Sequence, residues 1–241
     1  MRTSILLGLS LFIAFTSAPA VPQDSASVGA VRTRIEGIEI PSIPNAPFTA
    51  KVVVTWNEPL VGGGTVSRKY YTLVARDSQG RVRRETREFI LADSNAEPPM
   101  RSFTILDPVS ATRTMCTKAT MNCATSAFYA QTPMGAADSA LSDSGNVTRE
   151  NLGQQTMNDL PVVGTRETES NVSGSGGSSR IAVAHTDFWY SPDLRMDLSV
   201  LRSNPHLGEV TLKVTNLVRG EPDASWFSVP SGYQVKSAAA K

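Results

Sequence analysis

The chain has 241 residues with 23 basic and 22 acidic side chains, a formal charge of +1. Nucleic-acid binders carry a strong basic excess because phosphate neutralisation dominates their affinity, so that class is disfavoured. The length is enough to bury a sizeable core in one larger β domain or two small ones, and one domain is the preferred reading.

Residues 1–20 read as an export signal. Arg2 gives a positive start, residues 5–15 (ILLGLSLFIAF) are apolar throughout, and Ala18-Pro19-Ala20 is a small-x-small cleavage site. About 11 apolar residues are too few for a bilayer span, which needs roughly 20. Cleavage near Val21 removes Arg2 alone among the charged residues, leaving 22 basic against 22 acidic. The expected product is a near-neutral periplasmic or extracellular protein without a transmembrane span.

Residues 21–47 are expected to be an N-terminal tether and irregular segment. Residues 29–40 fit a strand or a short helix equally, and Pro41, Pro44 and Pro47 then exclude regular structure. A single β-rich domain is expected over residues 48–236, with an internal joint at 132–146 and a disordered tail at 237–241. Val52, Val54 and Trp56 alternate with Lys51, Val53 and Thr55, and residues 59–64 (PLVGGG) supply a turn. Strands are predicted over 65–76, 81–91 and 102–106, the first two joined by the turn Asp77-Ser78-Gln79-Gly80. Residues 107–110 turn the chain into 111–116. Residues 147–158 show no convincing alternation, 162–169 and 180–190 do, and 171–179 (NVSGSGGSS) read as a flexible excursion.

The clearest pattern is near the C-terminus. Leu194, Met196, Leu198 and Val200 alternate with polar residues, as do Val210, Leu212 and Val214, and residues 204–208 have the chemistry of a hairpin turn. Residues 223–227 are expected to form a short helical turn before Pro230. So many half-apolar strands predict a mainly β fold with minor α: an antiparallel sheet with one covered face, or alternatively a β-sandwich.

Cys116 and Cys123 are the only cysteines, and an even count in an exported chain predicts a disulfide. It would close a short loop and stabilise by about 2 to 3 kcal/mol. Two cysteines at this spacing, with His185 and His206 far away, match no common metal site, and no cofactor motif is present. His185 lies two residues from Asp187, but without a GxSxG elbow the pair implies no hydrolase; His185 reads as a half-buried strand residue and His206 as a turn residue.

The segment around residues 68–88 carries Arg68, Lys69, Arg76, Arg81, Arg83, Arg84 and Arg87 against Asp77, Glu85 and Glu88. It reads either as a solvated sheet face or as a patch meeting anionic head groups or an acidic partner. The candidate patch residues are Arg68, Lys69, Arg81, Arg83, Arg84 and Arg87. Trp56, Trp189, Trp226, Tyr70, Tyr71, Tyr190 and Tyr233 read as core, with an aromatic ligand lining as the alternative.

Residues 76–85 (RDSQGRVRRE), 104–109 (TILDPV), 152–168 (LGQQTMNDLPVVGTRET) and the block 189–235 resemble an uncharacterised family of exported bacterial proteins. The layout of hairpins, a YSPDL strand and a terminal EPD…F.VP.GY element resembles the lipoprotein-carrier (LolA-like) fold. That resemblance implies a curved half-barrel with helices on its concave face and a groove for a hydrophobic or amphiphilic envelope ligand, such as a lipid or lipoprotein. The residues at 115–123 depart from the family pattern. A protein-interaction or envelope stress-sensing module is the alternative function, and no enzyme chemistry is expected.

Overall fold

The computed structural model describes residues 38–129, 147–173, 180–205 and 208–237. The expected export signal, the joint at 132–146, most of the excursion at 171–179 and His206 lie outside these residues. The described chain forms strands β1 (Phe48–Pro59), β2 (Thr65–Arg76), β3 (Val82–Arg87), β4 (Ile90–Leu91), β5 (Met100–Asp107), β6 (Thr112–Thr117) and β7 (Asn122–Ala127). It continues with β8 (Val147–Met157), β9 (Leu160–Ser173), β10 (Arg180–Ser191), β11 (Met196–Asn204), β12 (Gly208–Arg219) and β13 (Gln234–Ser237). All belong to one open sheet in the order β13-β7-β6-β5-β3-β2-β1-β12-β11-β10-β9-β8, with β4 attached to β2.

Alternation sets the register at the centre. Phe48, Ala50, Val52 and Val54 of β1 are buried while Lys51, Val53 and Thr55 between them are half-buried. β1 pairs antiparallel with β2 on one side and β12 on the other, which places Val54 opposite Tyr70 and Leu212. A one-residue slip would turn the whole apolar row towards water, at roughly 1.5 to 3 kcal/mol for each fully buried side chain. The β11–β12 hairpin closes as expected, with Asn204 opposite Gly208. Gly208 has φ +83°, and a Cβ there would sit 2.0 Å from the Asn57 carbonyl oxygen, so this turn admits glycine alone.

A single sheet can bury a face only by curling over it or by being covered. Arg76 shows the curl: its guanidinium donates to the carbonyls of Ala46, Pro41 and Leu194 at 2.9, 3.0 and 3.1 Å. Leu194 follows β10 and precedes β11, three strand positions from β2, about 14 Å away in a flat sheet. The face bearing Arg76 is therefore the inner, concave one. Residues 38–47 lie across its end, with Ile38, Ile40, Ile43 and Ala46 buried. This part of the expected tether is structural.

The inner core comprises Phe48, Val52, Val74, Val82, Val162, Phe188, Met196, Leu198, Val200 and Leu212 among others. A second, smaller cluster of Phe103, Ile105, Cys116 and Cys123 lies on the opposite, outer face. Phe103 is registered with Glu85, Glu85 with Leu73 and Leu73 with Lys51, a row out of phase with Val52 and Val74. Residues 220–237 cover it: a 3₁₀ turn at Ala224–Phe227 capped by Asp223, then β13 pairing parallel with β7. The helical turn expected at 223–227 is present.

Several expectations need correction. The strand expected over 81–91 breaks after Arg87, because a bulge between Thr86 and Arg87 and the swing of Phe89 onto the Tyr70 ring, at 4.4 Å, interrupt the ladder. Residues 147–157 are a strand; as an edge strand exposed along most of its length, β8 has no buried face to impose alternation. Residues 112–127, which include the stretch 115–123 that departs from the family pattern, form an ordinary two-stranded hairpin, β6–β7. The described residues contain no α-helix, so the helices implied for the concave face are absent from them.

Candidate functional site

The cation-rich segment resolves into two sets, because neighbouring residues of β3 face opposite ways. On the outer face, Arg83 stacks on Phe103 with its guanidinium carbon 4.0 Å from the ring centroid. It donates to the carbonyls of Trp226 and Ser228 at 3.2 and 3.4 Å. Glu85 sits between Arg83 and Arg87, accepting from them at 3.4 and 2.5 Å. Arg81 pairs with Asp77 at 2.6 Å and lies over Phe227. Lys69, also outward, donates to the carbonyls of Ala92 and Ser94 at 2.6 and 2.9 Å. These side chains bind the C-terminal strap and the loop after β4.

Arg84 points inward. It is registered with Val74 on β2 and Thr104 on β5, and Thr104 with Met115 on β6. Burial lowers its pKa from the usual guanidinium value; Tyr70 and Glu39 act in the opposite sense, and Arg113 adds repulsion. No hydrogen bond or ion pair to Arg84 occurs among the described residues. Arg113 of β6, opposite Leu106, is exposed on the same face. Arg68 is exposed near the tip of β2. Of the six candidate cations, Arg81, Arg83 and Arg87 are thus brought together outside, Arg84 is separated from them by the sheet, and Arg68 and Lys69 lie further along.

The surroundings of Arg84 set what this surface can do. The inner face is packed from β9 to β2, but on β5, β6 and β7 it opens: Thr104 and Leu106 are half-buried, while Met115, Ala124 and Ser126 are exposed. Met115 shows 45% of its surface and Phe89 47%. Exposed Phe89 and Met115, half-buried Leu106 and buried Tyr70 therefore form an apolar and aromatic shelf beside a partly desolvated guanidinium that has no hydrogen-bond or ion-pair partner among the described residues. Such a shelf can hold an apolar chain, with polar recognition confined to one end.

Two arginines could not be placed from the sequence. Arg113 stands alone between threonines, and only the pairing of β5 with β6 shows its face. Arg76, counted in the charge of that segment but not among its candidate patch residues, is fully buried against the Phe48 ring; burial, with repulsion from Arg219 and Arg195, lowers its pKa to about 10. His185 is exposed, not half-buried, and contacts Thr168 at 3.0 Å. Asp187 is held by Arg166 at 2.6 and 2.7 Å, so the two residues two apart do not act as a pair. Cys116 and Cys123 form the disulfide across β6 and β7, buried under the strap. Among the described residues no cluster of His, Cys, Asp and Glu is arranged to hold a metal.

No protein-family model matches the chain, and no curated protein matches it. Similar solved structures include MucB, at 13% identity and TM-score 0.41 over 80% of this chain and 61% of that one. A chain of the Pseudomonas aeruginosa MucA/MucB complex is similar at 13% identity and TM-score 0.42, over 81% of this chain and 59% of that one. This chain thus spans less than two thirds of either. A LolA superfamily protein from Nitrosomonas europaea shows 10% identity and TM-score 0.32 over 79% and 93%. The described strands of this chain form one open curved sheet.

Proposed function

We propose that this chain is a non-enzymatic envelope protein that binds a hydrophobic or amphiphilic ligand, of lipid or lipoprotein type, on the inner face of its sheet. The observation that carries this reading is the apolar shelf on β5 and β6 that the described residues leave uncovered, continuous with the packed core at Tyr70 and Leu106. Export by residues 1–20 would deliver the protein to a compartment where such ligands reside and where the Cys116–Cys123 disulfide persists. Native mass spectrometry of the purified mature chain should detect a co-purifying lipid, and a fluorescent fatty-acyl probe should be taken up. Absence of both would end the proposal.

A second reading has its own observation. The 11-residue strand β8 ends the sheet with one backbone edge unpaired among the described residues, and such an edge can accept a strand from a partner protein. Crosslinking from β8 in the native envelope would then yield a defined adduct, whereas monomer alone would count against it.

A further inference from the structure

We infer that Arg84 and Arg113 form a head-group site for the anionic end, a phosphate or carboxylate, of the amphiphile held on the inner face. The inference rests on the carrier reading above and specifies its ligand class. Both side chains come from the concave face of adjacent parts of the sheet: Arg84 shares a row with Thr104 and Met115, and Arg113 shares the neighbouring row with Leu106. Glu39, itself exposed, is the acid that acts on Arg84, so two positive charges face one negative charge.

A guanidinium brought out of water without a partner is costly, and proteins ordinarily satisfy it with carboxylates or carbonyls. The neighbouring cations do follow that rule: Arg76 takes three carbonyls, Arg83 two carbonyls and Glu85, and Arg81 an aspartate. Among the described residues Arg84 is the exception, and it stands beside a part of the inner face, on β5, β6 and β7, that they leave open. Its planar fork suits bidentate recognition of a carboxylate or phosphate. With the anion there, the Tyr70, Phe89, Leu106 and Met115 shelf is where the attached apolar chain would lie.

The test compares three acyl probes of equal chain length on the mature chain: lysophosphatidic acid, the free fatty acid and the neutral monoacylglycerol, with inorganic phosphate as a fourth ligand. The anionic lipids should bind about tenfold or more tightly than the neutral one, in keeping with one charge-assisted contact. The double variant Arg84→Gln, Arg113→Gln should remove that preference, bringing the anionic lipids to the affinity that monoacylglycerol shows for the same variant. The single variant Arg113→Gln, at an exposed position, guards against misfolding and should weaken the anionic probes alone. Equal affinity for charged and neutral probes would overturn the head-group site while leaving the carrier reading intact. Failure of every acyl probe would overturn both. Phosphate binding as tight as lysophosphatidic acid, and lost in the double variant, would retain the arginine pair as an anion site but overturn its lipid assignment.

Discussion

The two halves of the sheet bury opposite faces. From β9 across β10, β11, β12 and β1 to β2 the apolar row points inward, and curvature seals it with help from residues 38–47. In the wing formed by β5, β6 and β7 the buried row, Phe103, Ile105, Cys116 and Cys123, points outward and is sealed by the C-terminal strap. The change of face occurs at β3, where Val82 belongs to the inner core and Arg83 to the outer seal. One consequence is that, among the described residues, the inner face of β6 and β7 is left exposed. A surface relieved of packing is free to bind something else, which is why the candidate site falls there rather than on the regular hairpins.

The largest effects should come from the inward-packed half. Phe48 is wholly buried and carries the Arg76 guanidinium over its ring. Phe48→Ala should cost about 3 to 5 kcal/mol, read as a fall in the denaturant midpoint of the whole chain. Removing the disulfide by Cys116→Ser with Cys123→Ser should cost less, about 2.5 kcal/mol on the chain-entropy model for so short a loop. Hydrogen exchange should locate the second loss in β6, β7 and the strap. Equal loss of protection in β11 and β12 would show that the two halves unfold as one, and would erase the distinction drawn between them.

Adjacent arginines sharpen the comparison further. Arg83→Met removes the donor to two strap carbonyls, so residues 221–237 should become protease-sensitive, with a cost of about 1 to 3 kcal/mol. Arg84→Met, one residue along, removes a desolvated cation with no hydrogen-bond partner among the described residues. It should leave thermal stability unchanged or slightly raised, since apolar replacements of buried charge are often neutral or stabilising. A loss at Arg84 as large as at Arg83 would mean that its guanidinium is a structural tie and would remove the basis of the proposed site.

Periodicity made the inward half legible. Residues 65–76 were expected as one strand and form β2, and the alternation at 196–200 and 210–214 is that of β11 and β12, because each has one face in a dry core. β8 was illegible for the converse reason: with water along most of its length, nothing selects a period of two. The β6–β7 hairpin was obscured by its small residues, where Thr114 and Thr125 meet at 3.1 Å and a cystine rather than aliphatic bulk fills the outer face. The cation-rich segment could be read as charge but not as geometry. Arg83 and Arg84 are indistinguishable as letters, and only the out-of-phase row through Phe103 assigns one to the strap and the other to the inner face.

The smallest expected effect tests whether the wing titrates on its own. Asp107 closes the β5–β6 turn, its carboxylate accepting from the backbone N–H groups of Val109 and Ser110 at 2.9 and 3.1 Å. Burial alone would raise its pKa, but the bonds from Ser110 and Val109, with the charge of Arg81, outweigh that and hold it below the usual carboxylate value. A group depressed in the folded state stabilises fully above its unfolded pKa, near 4, and loses that contribution as pH falls through the lower folded value. Solvent screening limits the effect to a few tenths of a kcal/mol. As pH falls below about 4, the wild-type wing should therefore lose exchange protection at the β5–β6 turn, and Asp107→Asn should flatten that dependence while leaving β11 and β12 untouched. A pH dependence of the turn that survives the substitution would assign it to another group, and one shared equally by β11 and β12 would mean that the wing and the dry core answer to acid as a single unit.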